Sequence, residues 1–312
     1  MSRRLTLAIA AATALALALS ACGGGGDPLT PGSGSSGTSG GATSAVIIGS
    51  ADFPESELLA ELYAAALKAK GIQVTRVSGI GKREVYLGAL KDGSIDLIPE
   101  YNGALLANLL SQKVPEDVNT PDEVYAALGA ALPAGLTVLK QAAAEDKDTM
   151  TVTRATATKY SLKTIDDLAA VAKDFTVAAA PEFAKRYQGA LGLKSVYGVE
   201  FKAQLPLDAG GPLSLAALLN GNAQVADIFS TDSAIVKNDL VSLTDTKNLF
   251  LSQNVLPLIR KDKASPAVTA ALEAVSAGLT TEKLTAALAK VTLDKVSATA
   301  AAAELLTQVT SG

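Results

Sequence analysis

Hydrophobic and polar positions along the chain alternate between two periods. Val46-Ile47-Ile48-Gly49 is a short apolar run closed by glycine, the mark of a buried strand. Over residues 55–70 apolar side chains recur at Leu58, Leu59, Leu62, Ala65, Ala66 and Ala69, which is helical spacing, and Gly71 stands where a helix C-cap belongs. Residues 72–77 alternate as a strand, residues 83–92 read as a helix stopped by Gly93, and Ile95-Asp96-Leu97-Ile98 as a third strand. Strand, helix, strand, helix, strand predicts an α/β body with a mostly parallel sheet covered by helices on both faces. Further strands are predicted at residues 136–139, 149–153, 175–179, 225–229 and 255–259. Thr164 is placed as the N-cap of a helix with Asp167 at its third position. A helix is predicted over residues 181–191, with Arg186 and Tyr187 either lining the second lobe or standing on a solvated helix face. Another runs over residues 214–219, ending at Asn220-Gly221, and the Ala-rich residues 266–312 read as helical.

One pattern occurs twice. Ala89-Leu90-Lys91-Asp92-Gly93-Ser94-Ile95-Asp96-Leu97-Ile98-Pro99-Glu100-Tyr101 parallels Ala217-Leu218-Leu219-Asn220-Gly221-Asn222-Ala223-Gln224-Val225-Ala226-Asp227-Ile228-Phe229. Each is a helix end, a glycine stop and a short strand closed by an aromatic residue. Two similar lobes would each carry an aromatic residue at the carboxyl end of an equivalent strand. Ligands of open α/β sheets bind there. Tyr101 and Phe229 are thereby expected on opposite walls of one cleft.

The first 44 residues follow neither period. Met1-Ser2-Arg3-Arg4 is a basic start, and residues 5–19 form an apolar stretch of about fifteen residues, built like a secretory signal. It ends Leu19-Ser20-Ala21-Cys22, which resembles the bacterial lipoprotein box, and Cys22 is the only cysteine of the chain. Residues 1–21 are expected as a cleaved signal peptide. Residues 22–44, beginning with a lipidated Cys22 and continuing in Gly, Ser, Thr and Pro, are expected as a flexible tether. This predicts an extracytoplasmic protein anchored by lipid to the outer face of the cell membrane.

Composition narrows the chemistry. Of 312 residues 48% are hydrophobic, 19% charged and only 4% aromatic, with a net charge of −4. That balance speaks against a nucleic-acid partner, which calls for a basic face. With no histidine, there is no His-based triad, general base or metal ligand, and a single cysteine leaves no metal-binding cysteine cluster. The composition favours binding over catalysis, with no cofactor and no metal expected. Gly79-Ile80-Gly81-Lys82-Arg83 lacks the spacing of a phosphate-binding loop.

Several segments in order resemble the substrate-binding proteins of bacterial ABC transporters for osmoprotectants, the glycine betaine, carnitine and choline group. They are Ile48-Gly49-Ser50-Ala51-Asp52-Phe53-Pro54-Glu55, Glu61-Leu62-Tyr63, residues 89–103 with their Pro99-Glu100-Tyr101-Asn102-Gly103, residues 159–168, Gly192-Leu193 through Tyr197-Gly198, and Ser230-Thr231-Asp232. The resemblance spans roughly residues 46–310. It implies a two-lobed periplasmic-binding-protein fold of type II with two crossover strands. Lobe 1 would hold residues 45–148 plus 254–312, and lobe 2 residues 149–253. It further implies a monomer that closes on a small-molecule solute and hands it to an ABC permease, and no enzyme activity.

The family holds a quaternary ammonium against aromatic ring faces, because a methylated ammonium donates no hydrogen bond and is attracted by the ring quadrupole. By position Tyr101 matches a cage tyrosine, and Phe229 falls where relatives carry another. A third family tyrosine lies near Met150, where residues 146–151 hold no aromatic. This departure keeps an uncharged solute, such as a polyol or sugar derivative, open as the ligand, as it does a non-transport sensory role. Phe53 is a candidate third ring, its alternative being a hydrophobic staple. Ser50, Asp52, Thr231 and Asp232 are candidate ligand contacts, their alternative being helix caps. Gln253 and Asn254 either reach the ligand or satisfy hinge backbone.

Overall fold

The computed structural model describes residues 45–115 and 117–311. Cys22, the signal segment and the tether lie outside the described residues. The elements in chain order are β1 (Val46–Gly49), α1 (Pro54–Ala69), β2 (Val74–Val77), α2 (Arg83–Asp92), β3 (Leu97–Tyr101), α3 (Asn102–Leu109), α4 (Pro121–Ala131) and β4 (Leu136–Val138). Then come β5 (Asp148–Thr153), α5 (Arg154–Tyr160), β6 (Thr176–Ala179), α6 (Gly192–Tyr197), β7 (Ala203–Pro206), α7 (Pro212–Leu219), β8 (Val225–Phe229), α8 (Ala234–Lys237) and β9 (Leu240–Ser242). The chain finishes with β10 (Val255–Arg260), α9 (Pro266–Gly278), α10 (Thr281–Thr292) and α11 (Ala298–Thr310).

Two five-stranded sheets result, ordered β2-β1-β3-β10-β4 and β7-β6-β8-β5-β9. Each has a parallel trio, and in each the fourth position is held by an antiparallel strand. Those two strands, β10 and β5, are the ones on which the chain arrives from the other sheet. The sheets are therefore mixed rather than mostly parallel. The reason is the crossover: a strand entering from the opposite lobe runs against its new neighbours.

Apolar residues cover both faces of each sheet. Leu58, Leu59, Leu62 and Leu67 of α1 pack with Leu272, Leu284 and Leu305 of α9, α10 and α11 on one side of the first sheet. Leu87, Leu105, Leu106 and Leu128 of α2, α3 and α4 cover the other. Val177, Leu193 and Tyr197 lie on one side of the second sheet, and Leu218, Ile228 and Leu240 on the other.

Two predicted helices differ. Asp166–Ala170 is a 3₁₀ turn, and its capping runs backward. Asp167 accepts from the N–H of Lys163 and of Thr164 and from the Thr164 hydroxyl, so the carboxylate holds the turn and Thr164 donates to it. The span 181–191 breaks into a 3₁₀ turn over Pro181–Lys185 and a kinked π-type turn over Tyr187–Leu191. Gly189 lies so close to the Phe183 carbonyl that a Cβ would stand 2.5 Å from the oxygen, so the chain folds over Phe183 instead of continuing a helix.

The crossing segments, residues 139–147 and 243–254, meet side by side. Asp146 N–H donates to the Gln253 carbonyl (3.2 Å) and Val255 N–H to the Ala144 carbonyl (3.0 Å). The side chain of Asn102 ties β3 to this hinge, accepting from the N–H of Asn254 at 2.9 Å and of Gly103 at 2.7 Å. Gln253 accepts from Ala104 N–H (3.0 Å), and Asn254 donates to the Ala142 carbonyl (3.0 Å). Of the two readings of Gln253 and Asn254, these hydrogen bonds are those of hinge residues.

Candidate functional site

The carboxyl ends of β3 and β8 face a cleft between the sheets. Tyr101 ends β3, Phe229 ends β8, and Phe53 immediately precedes α1. All three rings line the cleft. Phe53 lies between the other two, with its ring centroid 6.3 Å from that of Tyr101 and 5.5 Å from that of Phe229. These are distances at which tilted aromatic pairs attract. The loop before α7 is shaped to the Phe229 ring. Gly210 has φ +60°, and a Cβ there would stand 2.6 Å from the ring.

Behind the rings, Glu55 joins the two lobes. It occupies the first turn of α1, where a helix N-terminus favours negative charge. One carboxylate oxygen accepts from the Tyr101 hydroxyl at 2.7 Å, the other from the Thr231 hydroxyl at 2.5 Å. Asp146, on the crossing segment, accepts from Thr231 N–H (3.0 Å) and the Ser230 hydroxyl (3.2 Å). Burial pushes both carboxyls above their ordinary values, and for Asp146 the proximity of Glu55 adds to it.

The structure distributes the remaining sequence candidates unevenly. Asp52 lines the cleft. Ser50 is buried beneath it, where its hydroxyl accepts from Gly79 N–H at 3.0 Å and holds the loop after β2. Thr231 commits its hydroxyl to Glu55 and its N–H to Asp146. Asp232 accepts from Ala234 N–H (2.8 Å) at the start of α8 and lines a neighbouring pocket with Phe53, Glu55 and Phe229.

Glu100, Tyr86 and Phe183 also build the cleft, although the sequence did not single them out. Glu100 is fully buried and accepts four hydrogen bonds: two from Arg83 (2.7 and 3.0 Å), one from the Tyr86 hydroxyl (2.6 Å) and one from Tyr101 N–H (2.8 Å). Burial opposes the Arg83 charge, but the paired carboxylate outweighs it and raises the guanidinium pKa. Thus Glu100 fixes α2 to the end of β3 and brings Tyr86 and Arg83 to the cleft wall. Phe183 and Arg186 line the opposite wall. Of its two readings Arg186 takes the lobe-lining one, because the broken 181–191 span turns it inward, 3.6 Å from Glu84 of α2 and 3.8 Å from Glu182.

In the second sheet, Asp148 pairs with Phe229 and Met150 with Asp227 across β5 and β8. Paired residues and those two apart share a sheet face. Asp148 and Asp227 therefore stand on the face that carries Phe229. Where the resemblance implies a ring after the first crossover, the cleft-lining residues are Asp146 and Asp148, and Met150 is core. Burial raises the pKa of Asp148 and of Asp227. Arg186 and Arg83 counteract it for Asp148, and Asp148 adds to it for Asp227.

This geometry has counterparts among known proteins. Residues 44–308 match the family model described as the substrate binding domain of ABC-type glycine betaine transport system. An ergothioneine transport permease/ergothioneine binding protein of Helicobacter pylori is 29% identical over 67% of this chain, which spans 37% of that protein's length. A glycine-betaine-binding protein of Pseudomonas aeruginosa is 26% identical over 69% of this chain and 71% of its own length. The crystal structure of a glycine betaine/carnitine/choline ABC transporter protein superposes with a TM-score of 0.66 at 23% identity, covering 84% of this chain and 97% of that one, and shares the two-lobed fold. The chain belongs to the family of substrate-binding domains of ABC-type glycine betaine transport systems.

Proposed function

We propose that this protein is the extracytoplasmic receptor of an ABC importer, capturing a small methylated-ammonium solute between its lobes and presenting it to the permease. The observation that carries this reading is the contact of Phe53, Tyr101 and Phe229, contributed by both lobes at the carboxyl ends of β3 and β8. Ring faces attract a cation that cannot donate hydrogen bonds, by about 0.5–2 kcal/mol each. The buried acids around them, Asp146, Asp148 and Asp227, compensate its charge by giving up protons when it enters. Glu55 and Thr231 close the cleft from opposite lobes. The relatives named for glycine betaine and for ergothioneine support a betaine-type cation over an uncharged solute. The protein acts as a monomer without catalysis, held at the outer membrane face through Cys22.

Thermal denaturation with glycine betaine, choline and carnitine tests this. A solute at 100 times its Kd stabilises by about 2.7 kcal/mol, a shift of roughly 5–10 °C for a body of this size. Tyr101→Ala is expected to remove the shift. If a polyol stabilises the protein and none of the three cations does, the proposal is wrong.

A further inference from the structure

Three consecutive residues of the broken 181–191 span each reach a different part of the opposite lobe or the hinge. Arg186 stands 3.6 Å from Glu84 of α2. Tyr187 N–H donates to Gln112 Oε1 at 2.9 Å, just beyond the end of α3. Gln188 Oε1 accepts from Gln253 of the hinge at 3.2 Å. A continuous helix would forbid this. It would turn successive side chains about 100° apart and consume the Tyr187 N–H in a bond to the Phe183 carbonyl. The break at Gln188 and Gly189, whose backbone angles are non-helical, leaves that N–H free to cross the cleft.

The receiving residue carries a second sign. Ser111 and Gln112 follow α3 with φ of +51° and +68°. Left-handed positions beyond a helix end favour glycine, because a Cβ strains them. Gln112 N–H donates back to the Ala107 carbonyl (2.6 Å), so its backbone performs a glycine's task in ending the helix. Yet the residue is glutamine, and its side chain lines the cleft and accepts across it. A side chain held where glycine is easier points to a use for that side chain.

We infer that Gln112 is a positioning residue for solute capture: it draws the 181–191 segment onto the end of α3 and so sets how long the closed cleft retains its solute. This rests on the reading of the protein as a solute receptor. The contact forms only when the lobes are together, so its loss speeds escape rather than slowing entry. Gln112 adds no preference among solutes, because its acceptor oxygen is spent on the Tyr187 N–H.

Gln112→Gly in the whole protein tests this, since it keeps the left-handed backbone and removes only the side chain. Calorimetric titration and stopped-flow release with tetramethylammonium and glycine betaine are expected to show affinity lowered about three- to tenfold, equally for both, through faster dissociation. Gln112→Glu, which keeps an acceptor oxygen, is expected to restore it. Hydrogen exchange at the Tyr187 N–H is expected to be faster in solute-saturated Gln112→Gly than in the unaltered protein. Far-ultraviolet circular dichroism of the variant is expected to be unchanged. The inference is overturned if dissociation is unchanged in Gln112→Gly, if the two solutes lose affinity unequally, or if Gln112→Glu restores nothing. In each of these cases the receptor reading stands. If neither solute binds the unaltered protein, that reading fails and exchange at Tyr187 decides the contact alone: faster exchange in unliganded Gln112→Gly supports it, and unchanged exchange overturns it.

Discussion

Tyr101 has two tasks that a substitution can separate. Its ring faces Phe53 and its hydroxyl holds Glu55. Tyr101→Phe keeps the first and removes the second. It is expected to destabilise by about 1–2 kcal/mol in denaturant titration while retaining cation binding within a few-fold. A loss of binding as large as in Tyr101→Ala would mean that the hydroxyl itself touches the solute. Phe53 stood only as a loop candidate before α1, whereas Tyr101 and Phe229 were legible in the chain as strand-end aromatics after a glycine stop. Asp227 was not, because Val225-Ala226-Asp227-Ile228-Phe229 reads as an ordinary buried run. The signal available was chemical: a lone acid within a strand covered on both faces must be paired, neutral or waiting for a partner. Thr231 was legible as polar and near the site, but its hydrogen bond to Glu55 depends on a residue 176 positions away.

At the level of elements, β1, β3, β6, β8 and β10 and most of α1 follow from periodicity. The short edge strands β7 and β9 do not, because pairing with neighbours defines them more than their own residues do. The 181–191 segment was misread for a related reason: its helix-compatible composition yields to packing over Phe183, which no local spacing encodes. Close approaches at element ends give two expectations. Gly103 donates its N–H to Ser252, and a Cβ there would stand 2.3 Å from that carbonyl oxygen. Gly103→Ala is expected to cost about 1–3 kcal/mol by prying α3 from the hinge, visible as a lowered Tm. Gly210→Ala strains a left-handed residue and pushes on the Phe229 ring. It is expected to weaken cation binding by tenfold or more, with far-ultraviolet circular dichroism unchanged. Undiminished affinity would remove Phe229 from the cage.

For the whole molecule, the cleft is where charge is most strained. Burial raises the pKa values of Glu55, Asp146, Asp148, Asp227 and Asp232. An acid with a raised folded-state value keeps its proton in the folded protein when the unfolded chain has already lost it. The folded state then binds more protons, and stability falls with rising pH. The contribution is fully present below the ordinary carboxylate range, about pH 4, and is lost as pH climbs through the raised values. Tm is therefore expected to decline from about pH 5 to pH 8. Asp227→Asn is expected to flatten the decline, as is a saturating cation that compensates the acids. A Tm that climbs over that range would show these carboxyls to be charged and well paired.

The two sheets also differ in when they can be completed. The second is built from one uninterrupted stretch, Asp148 to Ser242, whereas the first lacks the strand between β3 and β4 until β10 arrives. A chain emerging from its amino end can therefore assemble the second lobe while the first still exposes two unpaired strand edges. The amino-terminal lobe, first to be made, is the last to close. Until β10 is available, β3 and β4 each keep an edge without its partner strand, a feature that favours association of incomplete chains.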